Sequence, residues 1–135
     1  MAFVLDASVC AVWALADETH PLADVAMELL DRENALVPSL WWFEVRNVLV
    51  MSERRKRLTS LESGTFLNFL QGFPIWVDPE RDEEAIFGFA RKYQLSFYDA
   101  AYLEIAHRKM LPLATLDKAL RMARSEERRV GKECR

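Results

Sequence analysis

Histidine and cysteine are scarce: the chain holds two of each in 135 residues. Cys10 and Cys134 form no CxxC or other metal-ligand spacing, and His20 and His107 stand alone, each read as a surface or helix-end residue. That argues against a zinc site. Cys10 lies in the apolar run VCAVWAL and reads as a small buried hydrophobe rather than a reactive thiol. No apolar run approaches the roughly 20 residues of a membrane span. The opening MAFVLDAS has neither the basic segment nor the long apolar stretch of a secretory signal, so the expected location is the cytoplasm. Internal repeats and low-complexity linkers are absent. What is there is one domain's worth of chain, 51% apolar, enough for a real core.

The last segment reads differently. RSEERRVGKEC, Arg124 to Cys134, resembles an in-frame translation of a widely used short-read sequencing adapter. The expectation is a domain over 1–123, truncated at its C-terminus, with a non-native tail over 124–135 that is set aside in reading the fold. The tail holds five of the 18 basic and three of the 21 acidic residues, so the rest carries a net charge of −5. An acidic chain is not an obvious nucleic-acid binder, because phosphate neutralisation favours Lys and Arg. A carboxylate-lined metal site reconciles the two, since the cation supplies local positive charge.

Strand-like and helix-like stretches alternate. AFVL (2–5), ALVP (35–38), IWV (75–77) and LAT (113–115) read as short strands. Between them lie SVCAVWALADE, then PLADVAMELLDRE with Pro21 at an early position. Next comes LWWFEVRNVLVMSERRKR with Ser39 as cap and Trp42, Val45 and Leu49 as a core stripe. Thr59 and Glu62 fit a capping box for a helix to Phe69 or Leu70. Helices also follow Asp82, Ser96 and Asp117. With few hairpin signals, this order points to an α/β fold with a mainly parallel central sheet flanked by helices. Ligands of such sheets sit at the carboxyl ends of the strands.

Four acids occupy apolar settings where a carboxylate is costly to place: Asp6 in FVLDAS, Glu44 in SLWWFEVRNVL, Asp99 in LSFYDAAYLEIA and Asp117 in LATLDKAL. Each has an ordinary reading. Asp6 and Asp117 can cap the helices they precede, Asp99 can face a helix dipole, and Glu44 can lie on a solvated face. Read together, they suggest one pocket for Mg²⁺ or Mn²⁺, which prefer oxygen ligands and need no histidine. Two such ions can hold a phosphodiester and generate the attacking hydroxide. Ser8 can join the water shell or cap a helix, Asn47 shares a helix face with Glu44 and can orient it, and Thr115 can hydrogen-bond a carboxylate or phosphate. Glu104, five residues after Asp99, is rotated too far round the helix to join them. Arg54-Arg55-Lys56-Arg57 is either a phosphate-tracking edge or a solvated helix end. Trp13, Trp41, Trp42 and Phe43 are read mostly as core or a partner groove, with base stacking the other use.

The order and contexts of LDASV, the Glu within PSLWWFEVRNVL, LSFYDAAYLEIA and LATLDKAL resemble the PIN domain, and within it the VapC-type toxins of bacterial toxin–antitoxin pairs. The resemblance covers nearly all of 2–122. It implies a three-layer PIN-like fold and a Mg²⁺- or Mn²⁺-dependent endoribonuclease. Asp6, Glu44 and Asp99 match the family's core acids, and Asp117 the more variable fourth. All four would be metal-binding and catalytic, with Ser8, Asn47 and Thr115 around them. The implied partners are an RNA substrate such as tRNA or rRNA, a VapB-type antitoxin, a second copy of the chain in a homodimer, and operator DNA only through the antitoxin, with no membrane. Two other readings compete. An aspartyl-phosphate enzyme would use Asp6 as nucleophile, but the phosphatase form wants DxD where Ala7-Ser8 follow. A non-catalytic PIN-like module would bind RNA or protein without cutting.

Overall fold

The computed structural model describes residues 1–133, with side chains described through Arg129; Cys134 lies outside them. The elements run β1 (Ala2–Leu5), α1 (Ala7–Ala14), α2 (Pro21–Leu29), β2 (Asn34–Val37), α3 (Leu40–Arg54), α4 (Ser60–Leu70), β3 (Ile75–Val77), α5 (Glu83–Tyr93), α6 (Phe97–Lys109), β4 (Leu113–Ala114) and α7 (Lys118–Glu133). The four strands form one sheet in the order β3-β2-β1-β4, and every pairing is parallel. Parallel neighbours need crossovers, and helices supply them, covering both faces. Accordingly Phe3, Val4 and Leu5 of β1 are all buried. The fold is the expected three-layer α/β arrangement.

The topology decides where a ligand can sit. The chain steps from β1 to β2 to β3 on one side, then returns to place β4 on the other side of β1. Strand order therefore reverses at β1, and the crevice beyond the carboxyl ends of β1 and β4 is the switch point of the sheet. The ladder continues one residue past β1, where the Asp6 N–H donates to the Ala114 carbonyl at 3.0 Å.

Local signals account for most helix ends. Pro21 opens α2, with His20 Nδ1 accepting from the Leu22 N–H at 3.0 Å. Thr59 and Glu62 form a reciprocal capping box on α4. Asp82 and Ser96 cap α5 and α6 through their side chains. Ser39 does not follow the expectation: it is the N-cap residue of α3, but in αR backbone geometry its side chain makes no capping bond. Strand ends shift too. β2 gains Asn34 and stops before Pro38, and β4 ends at Ala114, leaving Thr115 beyond the ladder. α7 spans both sides of the boundary drawn at Ala123; Arg124 donates to the Leu111 carbonyl at 2.8 Å, and Glu127 pairs with His107 at the end of α6.

Helix α6 is the pillar of the site. Ala100 through Ala106 are buried without interruption, and three alanines among them let neighbouring elements come close. Glu104 is one of these buried residues. Its carboxylate takes Arg108 Nε at 2.6 Å and the Asp82 N–H at 3.1 Å, while Arg108 also reaches Asp78 at 2.9 Å. This clasp ties the segment before α5 to α6. Replacing Arg108 with Leu leaves two buried carboxylates without a counter-ion, and should cost about 3 kcal/mol of stability. Urea unfolding checks this; an unchanged midpoint refutes it.

Candidate active site

Asp6 follows β1 and is buried. Its side chain makes no capping bond to α1. Instead Oδ2 accepts two hydroxyls, from Ser8 at 2.6 Å and Thr115 at 2.7 Å. Ser8 Oγ in turn accepts the Leu116 N–H at 3.0 Å, and Thr115 Oγ1 accepts the Asp117 N–H at 3.0 Å. This web joins the loop after β1 to the loop after β4. Ser8 thus ties the Asp6 carboxylate to the loop after β4 and orients it.

Glu44 lies half-buried in the middle of α3. Tyr102, fully buried on α6, donates its hydroxyl to Glu44 Oε1 at 2.6 Å. Asn47 does not orient Glu44: it is exposed and, among the described residues, has no side-chain partner. Asp99 sits in the first turn of α6, half-buried, its backbone N–H capped by Ser96. Asp117 turns one oxygen to the Leu120 N–H at 2.8 Å and so caps α7, as its ordinary reading held.

The acids feel one another. Burial raises the Asp6 carboxyl above the ordinary carboxylate range; its hydrogen bonds oppose this, and Asp117 adds to it. Glu44 is raised first by burial and then by Asp6 and Asp99, against the pull of the Tyr102 hydroxyl. Asp99 is raised by burial, Asp117 and Asp6. No basic residue contributes to any of these shifts, and none of the four acids makes a salt bridge among the described residues. The structure thus brings the four into one electrostatic neighbourhood. It does not draw them into a ready coordination set: among the described residues, no three His, Cys, Asp or Glu side chains are gathered closely enough to hold a metal.

The other candidates are structural. Glu104 belongs to the Arg108 clasp, away from the acids. Cys10 is buried and its thiol is pushed up to about 12, so it is inert at neutral pH. Arg57 pairs with Asp17 and Glu18. Trp13 and Trp41 pack in the core, whereas Trp42 and Phe43 are exposed. Tyr102 is the site residue that the sequence reading missed. Its spacing was the available signal, since it follows Asp99 by three residues and shares its helix face.

A parallel sheet with Asp6 and Asp117 beyond the carboxyl ends of its central strands, and no salt bridge to any of the four acids among the described residues, defines an α/β protein with an acidic crevice. The PIN-domain family model matches residues 3–125, and the chain belongs to that family, whose fold is of nuclease type. The crystal structure of PAE2754 from Pyrobaculum aerophilum is similar in fold, with a TM-score of 0.70 and 24% identity over 91% of this chain and 84% of that one. No curated protein matches the sequence.

Proposed function

We propose that this chain is a metal-dependent endoribonuclease, the toxin of a toxin–antitoxin pair, that hydrolyses RNA phosphodiester bonds in the cytoplasm. The observation that carries the reading is the set of four mutually repelling carboxylates with no basic partner among the described residues. Partly buried charge of one sign calls for a counter-ion, and an all-oxygen donor set suits Mg²⁺ or Mn²⁺. A divalent cation, when bound, supplies the charge that activates water and stabilises the transition state of phosphodiester hydrolysis.

In this reading Asp6, Glu44, Asp99 and Asp117 hold the cation. Ser8 and Thr115 fix the Asp6 carboxylate through Oδ2, and leave Oδ1 outside that hydroxyl web. Tyr102 fixes Glu44. Exposed Trp42 and Phe43 on α3, with Trp76 and Val77 on the edge strand β3, are surface of the kind protein partners cover. They support a homodimer and a VapB-type antitoxin, with operator DNA reached only through the antitoxin. Cleavage of tRNA or rRNA by the purified protein in Mg²⁺ or Mn²⁺, lost in excess chelator, tests the activity. Full cutting in chelator refutes it.

Tyr102→Phe removes one hydroxyl and keeps the ring. We expect Mn²⁺ to bind about tenfold more weakly, the scale on which partners of metal-ligating groups act. Calorimetric titration checks this on folded protein. Unchanged affinity shows that the Tyr102–Glu44 bond serves packing alone.

A further inference from the structure

One helical turn before Glu44 on α3, Leu40 enters the wall of a cavity of about 170 Å³ that the proposed chemistry does not use. It opens between the N-terminal ends of α3 and α6 and the start of α5. Its walls are apolar: Leu40, Ile86, Ala101 and Ile105. Phe97 and Tyr98, both exposed, form its lip, and Phe87 stacks edge-on against Phe97 at 4.8 Å between centroids. The acidic floor is already satisfied, because Arg108 engages both Asp78 and Glu104.

One feature joins this cavity to the site: Leu40, in its wall, precedes Glu44 by one turn on the same face of α3, about 5–6 Å away along the helix. Three groups at the mouth have unspent polar atoms: the Ser39 hydroxyl, the Tyr98 hydroxyl and the Arg81 guanidinium have no side-chain partner among the described residues. The missing Ser39 cap bond leaves its hydroxyl free for a ligand.

We infer that this cavity receives an unpaired base of the RNA, next to the phosphate held at the acids. The inference rests on the nuclease reading for its orientation. An aromatic lip over apolar walls suits a flat ring, and bases of single-stranded RNA are bound in that way. Ser39 and Tyr98 meet polar edges of the base. Arg81 carries a charge not committed to an ion pair, at the mouth, where a flanking phosphate needs one. The same cavity favours unpaired RNA over duplex, whose bases are stacked away.

The test uses the full chain carrying Asp6→Asn, which holds RNA uncut, and fluorescently labelled homopolymeric oligoribonucleotides of A, C and U. Ala101→Leu fills the cavity, Tyr98→Ala removes the lip, and Arg81→Ala removes the charge. The first two should weaken binding about tenfold, the scale of one lost stacked base. Arg81→Ala should weaken all three RNAs alike and flatten the salt dependence by about one unit. Tyr98 is exposed, so its variant keeps the test open if Ala101→Leu fails to fold. In the Asp6 background with native acid restored, Tyr98→Ala should alter which nucleotide flanks the cut. Affinity unchanged in both cavity variants overturns the inference, as does equal weakening toward duplex RNA. A changed oligomeric state in sedimentation overturns it too, and gives the cavity to a second copy of the chain. Wild-type protein that binds unpaired RNA through this cavity without cutting separates failure of the nuclease reading from failure of this one.

Discussion

Asp6→Asn should abolish metal-dependent RNA cleavage while leaving the protein folded. Removing one charged ligand from a site of four is expected to lower kcat/KM by about 10²–10³-fold, the several kcal/mol that a well-held cation supplies. Asn is the informative replacement. Its carbonyl can still accept the Ser8 and Thr115 hydroxyls that now point at Oδ2, so the web between the β1 and β4 loops survives. Asp6→Ala instead strands the buried Thr115 hydroxyl, and leaves the partly buried Ser8 hydroxyl without its acceptor, at a cost of about 1–3 kcal/mol for a buried unsatisfied group, and confuses loss of fold with loss of chemistry. Because burial already disfavours the Asp6 charge, metal-free Asp6→Asn should be at least as stable as the parent near neutral pH. Steady-state cleavage with a thermal melt checks both halves. Retained metal-dependent cutting by Asp6→Asn ends the assignment.

The second large effect is on stability. The folded-state carboxyls of Asp6, Glu44 and Asp99 are all raised. In the window from ordinary carboxylate values up to these raised ones, the folded chain keeps protons that the unfolded chain has released. Stability of the metal-free protein contributed by these groups must therefore fall as pH rises through that window. A bound divalent cation should reverse the loss, since it requires the charged forms. At 100 times its Kd the ion adds about 2.7 kcal/mol, which for a domain of this size raises the melting temperature by about 10 °C. Melts at pH 5 and pH 7.5, with Mn²⁺ and with chelator, test the pair of effects. Asp6→Asn should blunt both. A metal-free wild type that gains stability over this range relative to Asp6→Asn, or a melt indifferent to Mn²⁺, contradicts the site.

What could be read ahead of the structure was local. AFVL was legible because a strand buried on both faces is a short apolar run, and this one stops just before Asp6. Thr59 and Glu62 announce their capping box within four residues. The acids were visible because each interrupts apolar sequence. What escaped was what other segments supply. Tyr102 reaches Glu44 across 58 positions, and Thr115 reaches Asp6 across 109; no periodicity in one stretch encodes a partner in another. Ser39 illustrates the converse. Its type and position are those of a cap, yet backbone geometry set by the preceding Pro38 turn leaves the side chain unused by the helix. Asn47 shares a helix face with Glu44, but Tyr102 supplies the donor from another element.

The hydroxyl web around Asp6 has one more consequence. Its members come from the segments that follow the first and last strands of the chain, and Asp117 follows two residues after Thr115. During synthesis the early part of the chain can fold as it emerges, N-terminal elements first. The carboxylate at residue 6, however, waits for residue 115 before it is held. A nascent chain still attached to the ribosome therefore lacks an assembled site until residue 115 has left the exit tunnel. For the ribonuclease proposed above, that timing would protect the message and the machinery making it.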